Sequence, residues 1–365
     1  MQASIVCTNC GKAYPDRKLP NRCPKCGGLF DYSGIWTYDP ASLDPSQPGI
    51  WRYRASFGLP EMVRPISLGE GGTPLVWVSA FGRQIALKCE FLNPSGSFKD
   101  RGSTILASLL QARGVKEAVE DSSGNAGASM AAYAARAGVR LRVFVPAAAS
   151  GPKRTQIVAY GAELVPVPGT RTAVSEAVQR AADSGAVYAS HAFLPFNLPG
   201  YATAAYEIVA QLDGRVPGAV LVPAGQGGFL LGLARGFEAM QAAGASPGLP
   251  KMIGVQARAC APLWALFSAG PEGLKFVAEN PTLAEGVRTR FPVRGDAVLR
   301  AVAACAGSIE AVDEAEILPA RDRLARLGLY VEPTSAIVWA ALERLVDRLP
   351  DPLVLVLTGS GLKYG

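Results

Sequence analysis

GAVLVPAGQGGFLLG, residues Gly218–Gly232, holds a complete structural unit in one short stretch. GAVLVPAG is an apolar run of strand composition. Gly225, Gly227 and Gly228 interrupt it, and an apolar helical stretch follows. A strand that ends in a glycine turn and opens a helix is a βα unit, and open α/β sheets bind ligands at such turns. Backbone N–H groups exposed along a helix N-terminus form an anion cradle. The spacing is not GxGxxG, and no acidic residue stands at a ribose position. A single phosphate therefore suits this loop better than a dinucleotide.

The same alternation runs outward in both directions. From about Gln84, QIALKC, KEAVEDS, VRLRVFVP, AELVPVP, MIGVQA and LVLVLTGSG read as strands, separated by helix-like stretches such as AGASMAAYAARAG and TRTAVSEAVQRAADSG. Strands alternating with helices imply right-handed crossovers and parallel sheets, so the fold class is α/β. Three further loops carry small or reactive residues: DSSGNAGAS (Asp121–Ser129), LTGSGLK (Leu357–Lys363) and NPSGSFKDRG (Asn93–Gly102). Lys99 in the last loop precedes a helical stretch, where a cation is electrostatically out of place. Its functional reading is an amine kept nucleophilic for Schiff-base chemistry. Its bland reading is a solvated surface lysine.

Composition narrows the functions available. Apolar residues make up 49% of the 365-residue chain and charged residues 18%, as in a compact soluble protein of two or three domains. A net charge of +6 is too mild for a nucleic-acid binder of this length. Arg136, Arg140 and Arg142 break the longest apolar segment, so no membrane span is expected, and no signal peptide is visible. A cytoplasmic protein is the expectation.

Four of the seven cysteines form two knuckles, CTNCG at Cys7 and Cys10 and CPKCGG at Cys23 and Cys26, with twelve residues between them. Paired CxxC knuckles suit tetrahedral Zn²⁺, whereas disulfides are disfavoured in a reducing cytosol. Lys12, Arg17, Lys18, Arg22 and Lys25 would offset the negative charge of four thiolates. Four sulfurs leave no open position, so such a zinc is structural. A ribbon of this kind also raises nucleic-acid binding as a rival function, against which its few aromatics speak. Cys89, Cys260 and Cys305 read as core residues.

A lysine amine, a phosphate cradle and a loop asparagine together describe a pyridoxal phosphate site. On these motifs the chain resembles the fold-type II pyridoxal-phosphate enzymes, and among them the threonine synthase group. SLGEGGTPLV, NPSGSFKDRG, SSGNAG, VPAGQGG, AEGV, VEPTSA and LTGSGLK carry the likeness in that order. The resemblance implies two open, mostly parallel sheet domains with the cofactor between them, plus an N-terminal zinc ribbon. The expected division is a ribbon at 1–30, a linker and first part of the large domain at 31–83, a small α/β domain at 84–194 and the large domain at 195–365. It implies Lys99 as the Schiff-base lysine, flanked by Phe98. Asn125 is implied at the ring oxygen, Gly225, Gln226, Gly227 and Gly228 at the cofactor phosphate, and Thr358 at the pyridine nitrogen. Ser123 and Gly124, at a helix N-terminus, are expected to bind the substrate carboxylate through N–H groups, and Ser97 is expected to bind substrate.

The implied reaction turns O-phosphohomoserine and water into threonine and phosphate. The alternative is elimination or replacement on another amino acid, as in a serine/threonine dehydratase or a cysteate-synthase-like enzyme. A homodimer is expected. One departure bears on the substrate. Relatives of this group commonly place an asparagine and an arginine near the substrate phosphate, where this chain has Leu194 and Asn197, and Phe229 stands for an asparagine. Arg101, Lys153 and Arg154 are the cations considered as replacements. His191, the sole histidine, is expected to be a packing or capping residue.

Overall fold

The computed structural model describes residues 3–147, 151–169 and 171–364. Its strands are β1 (Ser4–Cys7), β2 (Phe30–Ser33), β3 (Leu75–Ala80), β4 (Arg83–Lys88), β5 (Glu117–Glu120), β6 (Arg140–Pro146), β7 (Glu163–Val167), β8 (Val187–Tyr188), β9 (Ala219–Pro223), β10 (Lys251–Ala257), β11 (Ser308–Val312) and β12 (Leu353–Val356). The chain divides into two compact units. One comprises residues 1–70, 93–200 and 364–365, and the other residues 71–92 and 201–363.

The first unit holds the antiparallel pair β1–β2 and a four-stranded parallel sheet in the order β7-β6-β5-β8. Helices Asp100–Ala112 and Asn125–Ala137 are almost wholly buried. The region 31–70, expected as a linker and the start of the large domain, instead packs into this unit. Ile50 and Trp51 are fully buried, and Trp51 Nε1 donates to Thr104 Oγ1 at 2.8 Å. Ile66 N donates to Ser108 Oγ at 2.8 Å, while Thr104 Oγ1 donates to Ile66 O at 2.6 Å. Proline and serine content suggests a strap. The buried tryptophan makes the segment part of the core.

The second unit is built on a six-stranded sheet in the order β11-β10-β9-β12-β4-β3, parallel except for the edge strand β3. Here the expected boundary at residue 84 fails. β4 pairs with β12 across Ile85–Leu353 to Lys88–Val356, so it belongs to the larger sheet and not to an 84–194 domain. Strands β9 and β12 have every residue buried, as the central strands of a parallel sheet covered on both faces must. Lys88 at the end of β4 is fully buried, which is tolerable only because it is paired. Its Nζ donates to Thr73 O and Glu207 Oε2 at 2.7 Å each, and to Gln211 Oε1 at 2.9 Å. Among the described residues no helix is long and apolar enough to cross a membrane.

Candidate active site

In the first unit, the lysine loop is held by a carboxylate the sequence reading passes over. Asp100 is fully buried and accepts from Ser95 N at 2.6 Å, from Ser95 Oγ, and from Ser129 Oγ at 2.6 Å. Ser129 Oγ also lies 2.8 Å from Ser103 Oγ. Since Ser129 lies on the Asn125–Ala137 helix, this carboxylate fastens the Lys99 loop to the SSGNAG loop that opens that helix. The only sequence signal is a serine spaced one turn into each helix. Gln156 Nε2 adds a bond to Ser95 O at 3.0 Å.

Lys99 itself is half-buried and caps the Asp100–Ala112 helix, its Nζ lying 4.6 Å from the Phe98 ring centroid. Ser97 Oγ is buried without a hydrogen-bond partner among the described residues, a state that costs free energy unless a ligand supplies the bond. Ser123, Gly124 and Asn125 sit half-buried at the helix start, with Gly124 as its N-cap. Gly127, one turn in, allows the loop to close. A Cβ there would lie 1.8 Å from Ser122 O.

In the second unit, β9 runs into the cradle as its sequence predicts. Gly227 is left-handed at φ +76° and caps the Gly228–Ala242 helix, leaving its first N–H groups directed at the loop. A Cβ on Gly227 would stand 2.5 Å from Val298 Cγ2, and one on Gly225 would stand 2.9 Å from Gly286 O. Gln226 Oε1 accepts from Val293 N at 3.0 Å, so its side chain braces the loop from outside.

Behind the cradle the remaining motifs interlock. Gly286 N donates to Thr334 Oγ1 at 3.0 Å, Thr358 Oγ1 lies 3.1 Å from Ser335 Oγ, and Gly359 N donates to Ser335 Oγ at 2.8 Å. AEGV, VEPTSA and LTGSGLK therefore form one hydrogen-bonded group. Ser335, which no reading of single residues names, fixes the orientation of the Thr358 hydroxyl.

The four cysteines converge as their spacing predicts. The Sγ atoms of Cys7, Cys10, Cys23 and Cys26 all lie within 4.8 Å of one another. Each knuckle repeats the same turn. Gly11 N donates to Cys7 O at 2.9 Å and Gly27 N to Cys23 O at 2.8 Å, both glycines having φ of 71°. Burial acts to raise the Cys7 thiol, but N–H groups of Cys10 and Asn9 and the neighbouring thiols bring it down to about 6. The donor set suits a tetrahedral soft-metal site.

Leu194 and Asn197 are both buried, and neither polar atom of the Asn197 side chain has a partner among the described residues. Arg101 is fully buried, whereas Lys153 and Arg154 lie half-buried on the Pro152–Ala159 helix. His191 Nδ1 lies 3.4 Å from Glu120 Oε1, a local contact with a buried carboxylate.

The fold and these two loop systems are those of an enzyme that works with a phosphate-bearing cofactor. A model of the pyridoxal-phosphate dependent enzyme family matches residues 66–359, and the chain belongs to that family. Within it, the chain is 33% identical to a threonine synthase of Methanosarcina acetivorans and 34% identical to that of Methanocaldococcus jannaschii, each covering 98% of this chain and 92% of the relative. A threonine deaminase structure, from a source abbreviated T.th., superposes with a TM-score of 0.66 at 30% identity, over 80% of this chain and 94% of the other. A serine racemase from Dictyostelium discoideum shares the fold at a TM-score of 0.63 and 23% identity, covering 79% of this chain and 92% of its own. The residues fit pyridoxal phosphate. The first unit holds an amine and a buried hydroxyl without a partner among the described residues, and the second holds a glycine loop whose space a Cβ would fill.

Proposed function

We propose that this chain is an enzyme with threonine synthase activity, converting O-phosphohomoserine and water into threonine and phosphate. The likeness to two archaeal threonine synthases over 98% of the chain carries this reading. Lys99 would hold the cofactor through its amine, and the same amine would serve as the base for the proton on the substrate α-carbon. Backbone N–H groups of Gly225, Gln226, Gly227 and Gly228 would hold the cofactor phosphate, with Asn125 available to the ring oxygen and Phe98 to the ring. When bound, pyridoxal phosphate supplies an electron-withdrawing ring that stabilises negative charge on substrate carbon. Thr358 offers the pyridine nitrogen a neutral hydroxyl, oriented by Ser335. Unlike a carboxylate, a hydroxyl does not hold a proton there, which favours elimination and replacement over transamination.

Ser123 and Gly124 at the helix N-terminus, with the Ser97 hydroxyl, receive the substrate carboxylate. Cys7, Cys10, Cys23 and Cys26 hold one structural Zn²⁺, as four ligands close the coordination sphere. The enzyme acts as a homodimer in the cytoplasm, and neither nucleic acid nor membrane is among its partners.

A second reading has its own observation. Asn197 stands where an arginine commonly serves the substrate phosphate, and a 30%-identical relative is a threonine deaminase. Under that reading the substrate is an unphosphorylated β-hydroxy amino acid. Steady-state kinetics with O-phosphohomoserine, threonine, serine and phosphoserine separates the two. Equal amounts of threonine and phosphate from O-phosphohomoserine are expected. No threonine, with brisk release of a 2-oxo acid from serine or threonine, would overturn the first reading.

A further inference from the structure

The cysteine lobe is packed directly onto the segment that carries Asn197. Tyr14 lies against the cysteine cluster through Phe30, their ring centroids 4.6 Å apart, and on its other side meets Phe196 edge-on at 5.1 Å. Its hydroxyl donates to Pro20 O at 3.1 Å, which pins the ring within the lobe. Arg22, between the knuckles, donates to Gly27 O at 3.1 Å and lays its guanidinium 4.8 Å from the centroid of Phe193. Arg113 completes the clamp. Its guanidinium lies 5.8 Å from both the Tyr14 and the Phe196 centroids, and it donates to Lys18 O at 2.7 Å.

Two rings of the Phe193–Asn197 stretch are thus gripped by the lobe. The residue that follows Phe196 is Asn197, whose amide is buried with neither oxygen nor nitrogen hydrogen-bonded among the described residues. A desolvated amide with nothing to bond is costly unless a ligand completes it. An amide poised in this way gains from being held still.

We propose that the cysteine lobe positions the substrate-side segment, with Tyr14 and Arg22 setting the place of Asn197 through Phe196 and Phe193, so that the Asn197 amide meets a polar group on the distal end of the amino-acid substrate. This rests on the proposed function, under which the position of Asn197, held in relatives by an arginine that serves the substrate phosphate, lies beside the substrate. Tyr14 and Arg22 are positioning residues, since both act through another side chain. The cysteine cluster thereby gains a purpose beyond holding its own lobe together, because the rings packed on it are the ones that order the segment.

The test uses the full-length, cofactor-loaded protein. Hydrogen exchange is followed in peptides spanning residues 190–198, with residues 93–102 as an internal reference. Tyr14→Leu and, separately, Arg22→Gln are expected to speed exchange in 190–198 by about three- to tenfold, the scale of a lost ring contact, while 93–102 stays as in the wild type. Tyr14→Phe, which keeps the ring contacts but loses the bond to Pro20 O, is expected to speed exchange less than Tyr14→Leu. In kinetics, Tyr14→Leu is expected to raise KM for O-phosphohomoserine by a similar factor with kcat within about twofold. Arg22 lies at the surface of the lobe, so its variant folds even where Tyr14→Leu does not.

Unchanged exchange in 190–198 in Arg22→Gln would overturn the proposal, as would a fall in kcat at constant KM in Tyr14→Leu. The exchange arm needs no turnover. A wild type that makes no threonine would therefore refute the activity while leaving this inference to be judged by exchange alone.

Discussion

Adding one methyl group at Gly227 should cost the enzyme much of its hold on the cofactor phosphate. Two separate effects contribute. Gly227 has φ +76°, and placing an L-residue in the left-handed region costs about 1–2 kcal/mol. The new Cβ would also lie 2.5 Å from Val298 Cγ2, and Val298 is fully buried, so the helix Gly295–Ala304 must shift. Overpacking of this kind costs about 1–3 kcal/mol. Together Gly227→Ala should cost about 2–5 kcal/mol, shared between the stability of the apoprotein and the geometry of the cradle.

Absorbance titration of the apoprotein with pyridoxal phosphate reads the second share. If half of the cost falls on binding, Kd rises by roughly five- to seventyfold. Val298→Ala in the same chain removes the clash and leaves the φ strain, so the double variant should recover the steric part only. Wild-type Kd and melting temperature in Gly227→Ala would refute the reasoning. Full recovery in the double variant would show that the left-handed backbone carries no cost.

Four shorter tests follow from other residues. Borohydride treatment should fix the cofactor on the 93–102 peptide, and Lys99→Ala should lose both that adduct and nearly all turnover, as mass spectrometry and product assay would show. Ser129→Ala removes one of the bonds to Asp100 and should destabilise the protein by about 1–2 kcal/mol in denaturant melts, with a fall in kcat as the lysine loop loosens. Metal analysis should give about one zinc per chain, lost in Cys10→Ser, with a lower melting temperature and a cofactor absorbance still present. Burial, with the charges of Asp100 and Glu70, raises the Tyr133 phenol well above its ordinary 10.0, and its hydroxyl donates to Glu70 Oε2 at 2.8 Å. The folded pKa lies above the unfolded one, so this stabilisation is complete below about pH 10 and is lost as pH rises beyond it. Tyr133→Phe should flatten that alkaline decline in a pH series of melting temperatures.

The central parallel strands were legible because they are buried on both faces and read as apolar runs closed by glycine turns. GAVLVPAG and LVLVLTGSG became β9 and β12 with little change. β3 was missed. As an edge strand it exposes Val76 and Trp77, and its short apolar LVWV run directly follows the turn residues GGTP, so it reads as part of that loop. The allocation of β4 could not be read either, since QIALKC looks the same whichever sheet it joins, and pairing with a strand far along the chain decides it. Segment 31–70 misled through composition. Proline and serine dominate its composition, but Ile50, Trp51, Phe57 and Val63 are buried and seat it.

At the candidate site, residues whose type announces their chemistry could be named from sequence: a lysine in a glycine loop, four cysteines in two knuckles. Asp100 and Ser335 could not. Their importance lies in which groups they bridge, and the bridges span the turns between elements that the sequence shows only singly.

The position of β12 has a consequence for how the molecule is made. In the larger sheet it lies between β9 and β4, yet it is the last strand in chain order. As the polypeptide leaves the ribosome, the β3–β4 hairpin waits for a partner translated roughly 260 residues later. At about 5–20 residues per second, that interval is roughly 15–50 s with an apolar strand edge open to solvent. The four-stranded sheet has all its strands by Tyr188 and faces no such delay. Until β12 is made the larger unit lacks the strand that joins its two halves, and slow synthesis prolongs the time its edges stay open to wrong pairing.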